Sequence, residues 1–148
     1  MTSHSSFAPK LVRAGEVLHR TYQLSPKNVR EFANLAEDHN PLHHNSIYAI
    51  DSRFGGLIAS ATQLVSLFMA LPATHYSKAL QPHELEFDFK LRKAAMANEL
   101  LAFRWIVTEA IYKESLEGDV VTLEGTIKNA EGETLVNATA KLLVTEKI

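Results

Sequence analysis

Leu57-Ile58-Ala59-Ser60-Ala61-Thr62-Gln63-Leu64-Val65-Ser66-Leu67-Phe68-Met69-Ala70-Leu71 is the stretch on which the fold turns. Ile58, Ala59, Leu64, Val65, Leu67, Phe68, Met69 and Leu71 cover most of the circumference of a helix. A helix apolar nearly all round belongs inside a protein. Ser60, Thr62, Gln63 and Ser66 break it as a bilayer span, and Pro72 is expected to close it. Something must be wrapped around this helix, and the rest of the chain says what.

Downstream the period changes from helical to alternating. Leu85, Phe87, Phe89 and Leu91 alternate with Glu84, Glu86, Asp88 and Lys90, the pattern of a half-buried strand. Leu100 to Tyr112, Val120 to Lys128 and Thr134 to Thr145 supply three more strands. Ala130-Glu131-Gly132-Glu133 reads as a hairpin loop between the last two. Long antiparallel strands plus one apolar helix make an α+β layer, a sheet curved around Leu57 to Leu71.

Upstream, Val17 to Tyr22 is strand-like. Ser25-Pro26 then starts a helix, with a hydroxyl cap and a proline in the first turn. Val29, Phe32, Ala33 and Ala36 share its inner face, and Lys27, Arg30, Glu31 and Asn34 lie away from it. That helix should run to Glu37 and stop before Asn40-Pro41, because a residue preceding proline leaves the α region. Asn45 can cap a short helix from Ser46 to Ser52. Residues 1–13 read as a flexible N-terminal tail and 14–148 as a single domain.

Composition narrows the function. The chain has 148 residues, 46% apolar and 22% charged, with a formal net charge of −2. That is a globular balance with no basic block for nucleic acid. The N-terminal residues lack the apolar core of a signal peptide, and no run is long enough for a membrane. With no cysteine there is no disulfide framework, thiolate nucleophile or cysteine-based zinc site, and a reducing cytoplasm fits.

The chemistry concentrates at Asp38-His39-Asn40-Pro41-Leu42-His43, between the first two helices. A carboxylate and an imidazole held across an Asn-Pro bend can move protons both ways near neutral pH, as adding or removing water requires. His39, His43 and His44 do not read as a metal site: Pro41 forbids the helical face that would converge them, and no carboxylate cluster completes a set. Ser60 lacks the glycine-flanked elbow of a nucleophile and reads as a helix-start hydroxyl.

Phe32-Ala33-x-Leu35-Ala36-x-Asp38-x-Asn40-Pro41-Leu42-His43, followed by Ala49, Phe54-Gly55, Ile58-Ala59 and Leu67-Phe68, resembles the MaoC-like hot-dog proteins and, among them, the (R)-specific enoyl-CoA hydratases. The resemblance implies a hot-dog fold, a homodimer with paired sheets, and a thioester tunnel near the dimer interface. It implies Asp38 as catalytic acid and His43 as catalytic imidazole. The reaction would be addition of water to a trans-2-enoyl thioester, giving the (3R)-hydroxyacyl thioester, or the reverse. Asn40, Ser60 and Ala61 fall at substrate-side positions, with the Ala61 N–H on the thioester oxygen. No metal or redox cofactor is implied; CoA or a carrier-protein pantetheine comes with the substrate.

One departure stands out: Ser60-Ala61 replaces the family's usual His-Gly. It keeps a non-catalytic acyl-thioester binding protein in view. A thioesterase is the other alternative, although Leu57 to Leu71 offers no Asp or Glu to activate water against the carbonyl.

Overall fold

The computed structural model describes residues 7–148. Five strands form one antiparallel sheet in the order β1-β3-β4-β5-β2. They are β1 (Val17–Gln23), β2 (Leu80–Leu91), β3 (Leu100–Lys113), β4 (Gly118–Lys128) and β5 (Thr134–Glu146). Helices α1 (Pro26–Leu35) and α2 (Ser46–Ile50) and the long α3 (Ala61–Ser77) all precede β2. Leu101, Phe103, Trp105 and Val107 of β3 and Val121, Leu123 and Ile127 of β4 are buried, every second residue, as a half-buried sheet requires. Register shifts at Glu84/Glu86 and Val107/Glu109 are bulges, each bending its strand.

Helix α3 lies on the buried face of this sheet. Phe68 is its anchor, 4.1 Å from the Trp105 ring, 5.8 Å from Phe103 and 6.0 Å from Phe89, centroid to centroid. Burying that one phenyl ring contributes about 3 kcal/mol. The approach is close enough to need a glycine across from the indole. A methyl group on Gly125 would stand 2.5 Å from the Trp105 ring and 2.7 Å from Phe68.

The helix differs from expectation at both ends and around its girth. It starts at Ala61, because Ser60 caps it by accepting the Gln63 N–H at 3.1 Å. Leu57 to Ala59 are extended instead: the Ala97 N–H donates to Leu57 and the Ala59 N–H to Ala95, both at 2.9 Å. It also passes through Pro72 to Ser77. Proline removes the N–H that the Phe68 carbonyl would have accepted. The Trp105 indole N–H replaces it, donating to that carbonyl at 2.9 Å. Finally, Gln63, Leu64, Phe68, Pro72 and Tyr76 are buried, whereas Ser66, Ala70 and Thr74 are exposed. The helix is enclosed on one side, not all round.

Three smaller corrections follow. β2 begins at Leu80 and contains Pro82, tolerated because β2 is a sheet edge with no ladder to feed on its outer side. α2 stops at Ile50. The expectation of a flexible 1–13 fails at residues 10–12. Residues 1–6 lie outside the described residues, but the backbone N–H groups of Lys10, Leu11 and Val12 all donate to the buried Asp119 carboxylate at 2.7 to 3.1 Å. Val12 is 1% exposed. An unpaired carboxylate could not stay buried there, so the arm and Asp119 hold each other.

Candidate active site

Helix α1 delivers Asp38. The Ser25 cap and Asn28 close a reciprocal box at its start. Its end is set by Glu37, not by Asn40-Pro41: Glu37 is left-handed at φ 57°. The Glu37 N–H donates to Asn34 and the Asp38 N–H to Ala33, at 3.1 and 2.8 Å. This Schellman turn normally takes glycine. A side chain in that conformation costs about 1 kcal/mol or more. Glu37→Gly is therefore expected to raise stability by about 1 kcal/mol, a few degrees in thermal midpoint by calorimetry. A fall would show that the Glu37 side chain has a compensating role.

After the turn, the Asp38 carboxylate splits its duties. Oδ1 accepts the Asn40 N–H at 3.2 Å. Oδ2 lies 3.5 Å from His43 Nε2. The Asn40 side chain is spent on its own turn, accepting the Leu42 N–H at 3.0 Å and capping the 3-10 turn Pro41–His43. That turn drives the His43 ring inward, where Nδ1 sits 2.8 Å from the Ile58 carbonyl oxygen.

The last contact fixes the tautomer of the imidazole. A carbonyl can only accept, so Nδ1 carries the hydrogen and neutral His43 presents a bare Nε2. An ionised Asp38 also only accepts. Two acceptors 3.5 Å apart cannot bond each other, but a water molecule lying beside both can donate one hydrogen to each. The side chain of Asp38 is 33% exposed and that of His43 is 7% exposed, and both line the same cleft, from which such a water is reachable.

Asp38 and His43 open into a cleft of about 420 Å³ with an apolar wall of Ile58, Ala59, Leu64, Ala95 and Val136. The start of α3 forms its rim through Ala61 and Thr62. Neither backbone N–H of that pair has an intramolecular acceptor among the described residues. Together with the helix dipole they offer donors to a developing negative charge. Of the residues expected on the substrate side, only Ala61 lines the cleft. Ser60 is fully buried with its hydroxyl committed to capping, and Asn40 is exposed outside the cleft.

Residues 11–124 match the family profile described as "MaoC like domain". The chain belongs to that family. A curated relative, a "UPF0336 protein" of Thermobifida fusca (strain YX), is 26% identical over 138 residues, covering 86% of each chain. Among solved structures, the R-hydratase PhaJ1 from Pseudomonas aeruginosa superposes with a TM-score of 0.80 at 20% identity, over 92% of this chain and 84% of that one. The (R)-hydratase from A. caviae involved in PHA biosynthesis gives 0.78 at 22%, over 88% and 96%. The five-stranded curved sheet with its helix is thus the hot-dog fold of MaoC-like proteins.

In this MaoC-like chain two further residues hold the turn, one expected to face outward and the other expected to be a surface group. His44 is half-buried, with its Nε2 2.6 Å from the Asp38 carbonyl oxygen, to which it must donate. Arg30, read as facing away from the core, reaches back from α1. Its Nε donates to the His44 carbonyl at 3.0 Å and its Nη2 to Ser46 Oγ at 2.7 Å. Asp38 is consequently gripped at its N–H, its carbonyl and one carboxylate oxygen, leaving Oδ2 as its free atom toward His43. No periodicity marks such residues; two adjacent histidines after Asn-Pro were the one available signal.

Proposed function

We propose that this chain is a hydro-lyase that adds water to trans-2-enoyl thioesters to give (3R)-hydroxyacyl thioesters, or runs the reverse dehydration. One observation carries the reading: the bare Nε2 of His43 and Oδ2 of Asp38 face each other as paired acceptors at the edge of an apolar cleft. Water held by both loses a proton as its oxygen bonds to C3. The C2–C3 π electrons shift toward the thioester carbonyl, whose oxygen gains negative charge opposite the Ala61 and Thr62 N–H groups. C2 then takes a proton from the Asp38–His43 pair, which ends as it began. The pair exchanges protons as a unit, so neither member is assigned as sole base.

This chemistry needs only the acid–base pair, with CoA or pantetheine arriving as part of the substrate and no metal or redox group. The working unit is a homodimer. β2 is an edge strand of 12 residues, paired with β5 on one side and open on the other, with Leu85 and Leu91 more than half exposed. Beyond Pro82 and the Glu84/Glu86 bulge, that edge is open to the same strand of a second copy. Among the described residues no helix is long and apolar enough to cross a membrane; the cytoplasm is the compartment we assign.

The test is hydration of crotonyl-CoA and longer enoyl-CoAs, followed by loss of the conjugated thioester absorbance. Release of free thiol instead would move the chain to the thioesterases, and tight acyl-CoA binding without turnover would make it a binding protein. Within the hydratase reading, His44→Phe should lower kcat about tenfold with KM unchanged, because Asp38 loses one grip on its backbone. His44→Gln, which keeps a donor, should recover most of it. Equal activity in all three proteins would remove His44 from the mechanism.

A further inference from the structure

One buried side chain of α3 is out of character. Gln63 is 1% exposed, yet its amide is poorly served. Nε2 donates to Asn28 Oδ1 over 3.4 Å, long for a hydrogen bond. No protein donor reaches Oε1 among the described residues. Burying that oxygen unpaired costs more than one long bond returns. Methionine, of nearly the same length, would fill the space without that cost, so stability does not account for a glutamine here. A buried polar group that weakens the fold points to a role in the site beside it.

Its position supplies the role. The Ala61 and Thr62 N–H groups, to which the hydro-lyase reading assigns the thioester oxygen, lie between two attachments of one short stretch. On one side, the Ile58 N–H donates to the Leu42 carbonyl at 3.1 Å, and the Ile58 carbonyl faces His43 Nδ1 at 2.8 Å. These tie the stretch to the turn that carries the acid–base pair. On the other side, the Gln63 N–H is bound to the Ser60 cap, and the Gln63 side chain reaches Asn28. Asn28 is itself fixed in the first turn of α1, the helix that delivers Asp38. Its N–H donates to Ser25 Oγ and its Oδ1 accepts the Ser25 N–H, both at 3.1 Å, while its Nδ2 donates to the Gln23 carbonyl at 3.0 Å. With the Ile58 attachment alone, the first turn of α3 could pivot about residue 58. A second attachment, to α1, removes that freedom.

We propose that Gln63 is a positioning residue, which holds the Ala61 and Thr62 N–H groups at a set angle to Asp38 and His43 through its contact with Asn28. This rests on the hydro-lyase reading above. Both halves of the site act on one substrate: the pair delivers water to C3 while charge collects on the thioester oxygen against the two N–H groups. A small misplacement of one half relative to the other slows the step without weakening substrate binding.

Crotonyl-CoA hydration and thermal unfolding should be measured for the wild type, Gln63→Met, Asn28→Ala and the double variant. Gln63→Met is expected to lower kcat about tenfold, with KM within about twofold of the wild type. Its thermal midpoint should stay at or above the wild-type value, because the unpaired Oε1 is gone. Asn28→Ala loosens the α1 cap as well, so it lowers both kcat and the midpoint. On that background Gln63→Met should lower kcat by less than about twofold more, since the link is already cut. Unchanged kcat in Gln63→Met, a loss carried in KM, or a loss that tracks a fallen midpoint overturns the role, and so do additive losses in the double variant. Should the wild type hydrate no enoyl thioester, the hydro-lyase reading fails and takes this role with it. An active wild type matched by Gln63→Met defeats the role alone.

Discussion

Asp38→Asn is expected to fold normally and to lose at least about a hundredfold of its hydration rate, the usual scale for lost proton transfer. The substitution is nearly isosteric, and the amide oxygen can still accept the Asn40 N–H that Oδ1 accepts now. The change falls on the other atom. An amide nitrogen replacing Oδ2 becomes a donor facing the bare Nε2 of His43, 3.5 Å away. The two groups then bond each other, and the position between them no longer holds water. His43→Ala should cost as much activity by a different route, removing one acceptor outright. It also leaves the buried Ile58 carbonyl without the ring N–H it accepts at 2.8 Å, a cost of about 1–3 kcal/mol. Melting curves alongside the rates separate the two effects. Full turnover in both folded variants would end the case for this pair.

Trp105→Phe should destabilise the fold by about 2–3 kcal/mol, more than its lost volume explains. The Phe68 carbonyl depends on the indole N–H because Pro72 has none to offer. Pro72→Ala restores an intrahelical donor to that carbonyl. In the Pro72→Ala background the tryptophan substitution should therefore cost at least about 1 kcal/mol less. Urea unfolding of the four proteins at one fixed concentration measures the coupling. Strict additivity would mean that the indole N–H does not substitute for the missing helical one.

The same pair explains why α3 was misjudged from sequence. Proline reads as a stop because its local cost is high, and the compensation comes from β3, remote in the chain. The strands were legible because each needs only alternation: Phe103, Trp105 and Val107 inward, Arg104 and Thr108 outward. The layering of a sheet on a helix followed from the long apolar helix beside them, and the hot-dog assignment from the resemblance carried by the Asp38 to His43 stretch. Ser60 was correctly a cap, yet its neighbours Leu57 to Ala59 looked helical when hydrogen bonds to Ala95 and Ala97 hold them extended. In the candidate site, Asp38 and His43 meet as their spacing implied, because the capping chemistry of Asn40 is local. Arg30 and His44 were read as outward-facing and surface groups because their main-chain partners are brought near only by the fold. Residues 10–12 were read as loose for the same reason. Nothing in Lys10 to Val12 advertises an anchor at Asp119.

The strand order has a consequence for how the molecule comes into being on the ribosome. β2 takes its sheet partner from β5, the fifth of the sheet's five strands along the chain, and β1 waits for β3. Pairings so distant along the polypeptide form slowly and late. Val136, one wall of the cleft that holds Asp38 and His43, sits on β5. The nascent chain therefore carries Asp38 and His43 long before it has a pocket to put them in. Until β5 emerges, the apolar side chains of β2 and α3 are the surfaces a chaperone would meet.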